Sequence, residues 1–302
     1  MGNKLKTVLT HKAVNGWRLF WSVSVPMSII MVVATVGADI TSAAGVSHMI
    51  QFSVRWAVPL IFLVVAASSA QILFPGPFPM WLMRNRKYVG LCFAVAMAWQ
   101  GLFIFIMSNY FREYYFEEIF YLRDELEGST GYLFLAAMVI TSFRFGRKHL
   151  SAKQWKLLHK SGLYFLWAYP FSVYWWNLSY YKDPVPIDYV FYWGGFLAFA
   201  LRIAAWSKKR NQAALIMAPG SGPSLAFKVV GVVLIVFGLF VATTGRKWQE
   251  PVTEFLLTPE WSANLVLWLP YWPFEPYLSL FIIGLGALLM TKPSSLNTAS
   301  VS

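Results

Sequence analysis

The sequence predicts an all-α integral membrane protein, with about eight transmembrane helices in one bundle and both termini in the cytoplasm. Of its 302 residues, 58% are hydrophobic and only 13% are charged, whereas a soluble domain carries about 25% charged residues. Runs of about 20 apolar residues, the length that spans a bilayer, recur along the chain. No stretch between them reaches about 50 residues, the lower limit for a domain. Residues 1–302 are therefore interpreted as one polytopic membrane domain.

Eight stretches are apolar and long enough to be predicted as spans. They cover residues 17–38, 50–73, 87–107, 130–146, 156–178, 187–206, 225–244 and 275–291. Residues 261–277 contain Pro270, Pro273 and Pro276 among several aromatic residues, and proline at that density breaks a helix. This segment is predicted to be an interfacial approach to the last span. The small residues near the end of 1–38 would also suit signal-peptide cleavage, but the apolar run is longer than a signal peptide needs, which favours an uncleaved anchor.

The charged residues predict the orientation. All 13 Asp and Glu residues fall in one set of loops and span edges, most densely between Glu113 and Glu127. Most lysines and arginines, among them Lys292 and the basic residues of 84–87, 144–156 and 208–210, fall on the other side, and Lys182 is one of few exceptions. The positive-inside rule places the basic side in the cytoplasm. The expected location is the inner membrane of a bacterial-type cell. The net charge of +12 is then a topology signal and does not indicate nucleic-acid binding.

The predicted topology can be tested with single cysteines introduced at Glu118 and at Lys209, in a protein whose native Cys92 has been replaced. A membrane-impermeant maleimide should label them from opposite sides, with position 118 outside, because the acids and the basic residues are segregated. The measurement compares labelling before and after permeabilisation of cells. Labelling of both positions from the same side would contradict the eight-span topology.

Ionisable and amide side chains within apolar spans are candidates for function, because they are costly in a bilayer. They are Arg55, Gln100, His159, Asn177 and Arg202. Arg202 can extend to the cytoplasmic end of its span, and Arg55 is interpreted as a snorkelling or paired side chain rather than a substrate ligand. No Asp or Glu lies deep in a predicted span, which disfavours proton- or cation-coupled transport and leaves transport of neutral substrates open. No catalytic residues are predicted, and a single cysteine, Cys92, excludes a thiolate metal cluster.

Three segments resemble the ferric reductase-like transmembrane family. Residues 155–167 match its W-x-x-L-H-x-x-G-x-Y-x-x-W helix, with His159 at the histidine. Residues 84–94 resemble the R-N-R-R-Y-x-G-x-x-F-A beginning of that family's haem-bearing third span, and residues 141–143 resemble the T-S-x end of the span before the histidine helix. The resemblance covers residues 55–206 in matching order.

The resemblance implies a membrane electron-transfer subunit. Members of that family hold b-type haem between histidines on two facing helices, so His159 is the expected haem ligand. Met97 and Gln100 stand where relatives have H-x-x-H, and Ser172 stands where a second histidine is expected. Met97 is the remaining side chain that could pair with His159, since Met is a known axial ligand of haem iron and Gln is a poor one. No other metal is implied. The electron donor would be a separate redox protein or a quinol, because the chain has no GxGxxG unit for flavin or NAD(P)H.

The sequence is compatible with two functions. One is a haem-linked electron-transfer component, and the other is a haem-free, non-enzymatic scaffold that serves in assembly or partner binding.

The segment from Tyr110 to Gly128 interleaves aromatic residues with acids. Its spacing predicts an amphipathic helix on the outer surface, either packed over the bundle or docking a basic partner.

Overall fold

The computed structural model describes residues 2–180, 183–217 and 222–291, and within them every regular element is a helix. The helices are α1 (Gly2–Thr10), α2 (Gly16–Gly37), α3 (Ala43–Leu73), α4 (Pro77–Tyr110), α5 (Arg112–Tyr114), α6 (Leu122–Thr141), α7 (Arg144–Arg147), α8 (Ala152–Ser179), α9 (Pro186–Met217), α10 (Leu225–Thr244), α11 (Arg246–Leu257), α12 (Glu260–Trp268) and α13 (Leu278–Met290). Five of them, α2, α3, α4, α9 and α10, are long and apolar enough to cross a membrane. The chain is therefore a multi-pass membrane protein.

Each of the eight predicted spans falls on a helix, but several boundaries differ. Helix α3 begins at Ala43 and not at residue 50, and α4 begins at Pro77 and not at residue 87. The predicted fourth span covers 130–146, whereas α6 runs from Leu122 to Thr141. The helix begins earlier because the acids of its first turn suit the positive end of the helix dipole. Residues 207–217 continue α9 as a helix instead of forming a loop. The count of eight spans and the position of the termini stay predictions, since α6 and α8 are less apolar and α13 is short. Lys182 and Lys292 lie outside the described residues.

The chain divides into two compact units, with the boundaries inside α3 and α8. The first unit comprises Met1–Ala67 and Pro75–Pro170, and the second comprises Ser68–Phe74 and Phe171–Ser302. In the first unit, α2 packs along α4. Val46 and Met49 of α3 meet Phe103 and Met107 of α4 in a buried cluster that also holds Tyr115.

Tyr115 shapes the connection between α4 and α6. Its hydroxyl donates a hydrogen bond to the Glu125 carboxylate in the first turn of α6. Burial, reinforced by that carboxylate, raises the pKa of Tyr115, so the hydroxyl keeps its proton. After α5 the chain forms a π-helical turn (Tyr115–Ile119) in which Tyr115 is buried, and it becomes extended at Phe120. The single amphipathic helix predicted over Tyr110–Gly128 is wrong.

In the second unit, α10 and α13 pack antiparallel with their backbones in close approach. A Cβ atom added at Gly286 would lie 2.6 Å from the carbonyl oxygen of Gly231, and one at Gly238 would lie 2.9 Å from that of Ser279. Glycine is the residue that permits this distance, and small residues at such contacts are typical of helix pairs in membranes. Helix α9 packs along the same α13.

Candidate functional site

His159 is half-buried near the start of α8, where it joins that helix to the end of α6. Its Nε2 atom lies 3.0 Å from the Thr141 hydroxyl oxygen. Because that hydroxyl lies 2.6 Å from the Ala137 carbonyl oxygen and donates to it, its oxygen is free to accept the proton of His159 Nε2. The geometry therefore assigns the proton of the neutral imidazole to Nε2.

Trp155 completes this junction. Its ring packs on the His159 ring with a centroid distance of 4.2 Å, and its Nε1 donates to the Thr141 carbonyl oxygen at 3.1 Å. The structure thus brings together three residues of the family-like motifs on two helices. In this arrangement the histidine serves helix packing, and iron binding through Nε2 would break its bond to Thr141.

Met97 and Gln100 lie elsewhere in the first unit, on a cavity of about 100 Å³ among α3, α4, α6 and α8. The Tyr132 hydroxyl lies 3.1 Å from both the Met97 carbonyl oxygen and the Gln100 side-chain oxygen, so it donates to this pair of acceptors. The rest of the lining is mostly apolar. It includes Val54, Ala57, Val58, Ile61, Phe93, Ile104, Phe165 and Leu166.

Met97 and His159 lie at different depths along the helices of the first unit. The residues that α8 contributes to the lining lie between Phe165 and Pro170. Phe165 is already ~9 Å beyond His159 along the axis at 1.5 Å per residue. The His–Met pair that would hold haem iron is therefore not brought together.

The cavity at Met97 and Gln100 differs from a pocket that holds haem between two histidines. The lining of the cavity contains no histidine, and ligand pockets for molecules of ordinary cofactor size are about 300–1,000 Å³. Within the described ranges, no group of three or more His, Cys, Asp and Glu side chains could hold a metal ion. What the cavity offers chemically is an apolar wall with one amide, two phenol groups and one carboxyl group, those of Gln100, Tyr132, Tyr169 and Glu127.

The second family-like segment holds the beginning of α2. Asn85 is 1% exposed, and its side-chain oxygen accepts from the Gly16 backbone nitrogen at 2.9 Å. Its Nδ2 donates to the Asn15 side-chain oxygen at 2.8 Å, and Arg84 Nη2 donates to the same oxygen at 2.8 Å. Gly16 adopts a φ of +65°, which favours glycine. We call this group, Asn15, Gly16, Arg84 and Asn85, the α2–α4 latch.

The other polar residues predicted in spans have separate positions. Arg55 is exposed on α3 in the first unit. In the second unit, Arg202 Nη1 donates to the Ser68 hydroxyl at 3.3 Å, and Asn177 Nδ2 donates to the Asp188 carboxylate at 3.1 Å. The geometry brings none of these three to the cavity.

Sequence reasoning missed two buried acids in the second unit. Asp188 is 6% exposed and Glu275 is 3% exposed. Asp188 also accepts from the Val185 backbone nitrogen at 2.9 Å, and Glu275 accepts from the Tyr180 hydroxyl at 2.7 Å. Both stand at span edges in the sequence, where an acid ordinarily faces water, so no local pattern marks them as buried.

No family model, curated protein or solved structure matches this chain. In the first unit, the residues of the family-like motifs that form the contacts described above lie in two groups. They are the junction of His159 with Thr141 and Trp155, and the α2–α4 latch.

Proposed function

We propose that this protein is a ferric reductase-like membrane domain of a bacterial-type inner membrane that binds no haem and works as a non-enzymatic, partner-binding subunit. The observation that carries the proposal is the hydrogen bond between His159 and Thr141, which uses the expected haem ligand to join two helices. The placement of Met97 and Gln100 supports it, because they meet Tyr132 and not His159. The alternative, a haem-linked electron-transfer component, is supported by the motifs of residues 84–94 and 155–167 alone.

The full-length protein, purified in a mild detergent from cells supplied with a haem precursor, should contain less than stoichiometric haem. In the family that the chain resembles, b-haem is held by two axial ligands at one depth, and neither Met97 nor Gln100 lies at the depth of His159. The measurement is the absorption spectrum together with a haem assay per mole of protein. The His159→Ala variant should give the same spectrum. A strong Soret band that disappears in His159→Ala would contradict the proposal and support electron transfer.

The surface that we assign to partner binding is the connection between α4 and α6. Glu113, Glu117 and Glu118 are exposed there, and Phe116 and Tyr121 are 51% and 61% exposed. Arg112 also lies there, with its guanidinium 5.6 Å from the centre of the Phe116 ring, but the three acids outnumber it. Aromatic residues are enriched at protein interfaces, and a surface of net negative charge favours a partner of the opposite charge. These residues therefore suit a basic partner with apolar side chains. We call them the acidic aromatic surface.

Binding to this surface can be tested with a fluorescent peptide of alternating lysine and leucine, added to the protein in neutral lipid vesicles. The triple variant Glu113→Gln, Glu117→Gln, Glu118→Gln should weaken binding by about tenfold, since each exposed ion pair contributes about 0.2–1 kcal/mol. The matched control is Asp183→Asn, Glu254→Gln, Glu260→Gln, which removes three exposed acids of the second unit. Equal weakening in both variants would show attraction by overall charge and would contradict the assignment.

A further inference from the structure

Helix α11 is held at one end of the α10–α13 pair. It begins at Arg246, directly after Gly245, whose φ of +57° turns the chain away from the end of α10 at Thr244. Helix α10 is long and apolar enough to cross a membrane, so its end lies near a membrane surface. With 12 residues, α11 is ~18 Å long at 1.5 Å per residue, too short for a hydrocarbon core of ~30 Å. Unlike the similarly short α13, it also carries charged residues along its length, so it is not a span.

One side of α11 is fixed against the rest of the second unit. Gln249 is completely buried, and Thr253 and Leu256 follow it at helical spacing with partial burial. At the beginning of the helix, the Arg246 guanidinium lies 4.6 Å from the centre of the Tyr180 ring and donates to the Glu250 carboxylate at 2.6 Å. These contacts fix which side of α11 faces the rest of the second unit.

The two remaining flanks differ in polarity. Trp248, Val252 and Phe255 are 43%, 40% and 77% exposed, and their spacing places them on one flank. The other flank carries Lys247 and Glu254, which are also exposed. A helix with one apolar flank and one charged flank is typical of segments that lie in the plane of a membrane interface.

The apolar flank continues the exposed face of α10. The Trp248 ring lies 5.6 Å from the ring of Phe237 and 5.6 Å from that of Phe240. These two residues of the apolar helix α10 are themselves 38% and 48% exposed, as side chains in contact with acyl chains are. Trp248 therefore extends the exposed apolar surface of α10 onto α11, and this continuity favours lipid as the occupant of the flank.

We propose that α11 lies in the membrane interface and that its Trp248–Val252–Phe255 flank inserts at the boundary between headgroups and acyl chains. Its Lys247–Glu254 flank faces water. The ligand of this surface is the lipid leaflet itself, and the inference does not depend on the absence of haem. The Trp side chain suits this depth, because aromatic residues with a polar edge are enriched at membrane interfaces.

The experiment places a spin label at Phe255→Cys or, separately, at the adjacent Glu254→Cys, with Cys92 replaced by alanine, in phosphatidylcholine vesicles. Accessibility to dissolved oxygen, which concentrates in acyl chains, is compared with accessibility to a water-soluble nickel chelate. The label at 255 should favour oxygen severalfold, and the label at 254 should favour nickel. A label at Leu239→Cys, on the exposed face of α10, provides the acyl-chain reference.

Two results would overturn the proposal. One is a label at 255 that nickel reaches as readily as the label at 254, which would place the flank in water. The other is a label at 255 that neither reagent reaches, which would show that protein covers it. Val252→Cys repeats the test on the same flank, so that the outcome does not depend on one variant being folded.

Discussion

Replacement of Gly286 by alanine should destabilise the second unit by about 2–3 kcal/mol, the usual cost of overpacking a tight contact. The added Cβ would lie 2.6 Å from the Gly231 carbonyl oxygen and 3.1 Å from the Ile235 backbone nitrogen. Neither backbone atom can move aside unless α10 and α13 separate. The measurement is the free energy of unfolding in an SDS titration from mixed micelles.

The control for this prediction is Gly284→Ala on the same helix. A Cβ at Gly284 meets nothing within 4 Å, and alanine favours a helix over glycine by about 1 kcal/mol. This variant should therefore be as stable as the parent or more stable. If Gly286→Ala is no less stable than Gly284→Ala, the close approach of α10 and α13 is contradicted.

Replacement of Asn85 by leucine should destabilise the first unit by about 2–4 kcal/mol. The change keeps the branching and the number of side-chain heavy atoms but removes the acceptor of the Gly16 amide and a donor to Asn15. Each partly buried polar group left without a partner costs about 1–3 kcal/mol. The loss should be visible in the same titration and as faster proteolysis between α1 and α2.

Asn109→Leu is the matched control for the latch. Asn109 is exposed at the end of α4, and its Nδ2 donates to Phe105 and Ser108 of the same helix. Loss of these local bonds should change the free energy of unfolding by less than about 0.5 kcal/mol. Similar losses for both variants would mean that Asn85 does not hold α2 to α4.

The positions of the helices could be predicted because a long apolar run has one solution in a bilayer, a helix that satisfies its own backbone. Boundaries were missed where polar residues prolong a helix. The acids after Leu122 begin α6, and the basic residues after Trp206 continue α9. Hydropathy treats such residues as loop, although they are good helix formers.

The candidate site was harder to predict because its contacts join residues far apart in sequence. The motif of residues 155–167 identified His159, but not that Thr141 would accept its Nε2 proton. Asn85 carries no sign in the sequence that it binds Asn15 and Gly16. Glu275 is buried because the Pro-rich chain before α13 folds back on Tyr180. The hydrophobic periodicity of the sequence does not predict this contact.

The brevity of α13 has a consequence for the lipid around the second unit. Its 13 residues give ~20 Å of helix at 1.5 Å per residue, against a hydrocarbon core of ~30 Å. If α13 spans the bilayer, as the sequence predicts, acyl chains beside it must shorten or tilt to meet it, at an elastic cost of fractions of a kcal/mol per ångström. A thin bilayer reduces that cost and a sterol-thickened one increases it. The stability of the second unit then depends on the thickness of the membrane, independently of any ligand or partner.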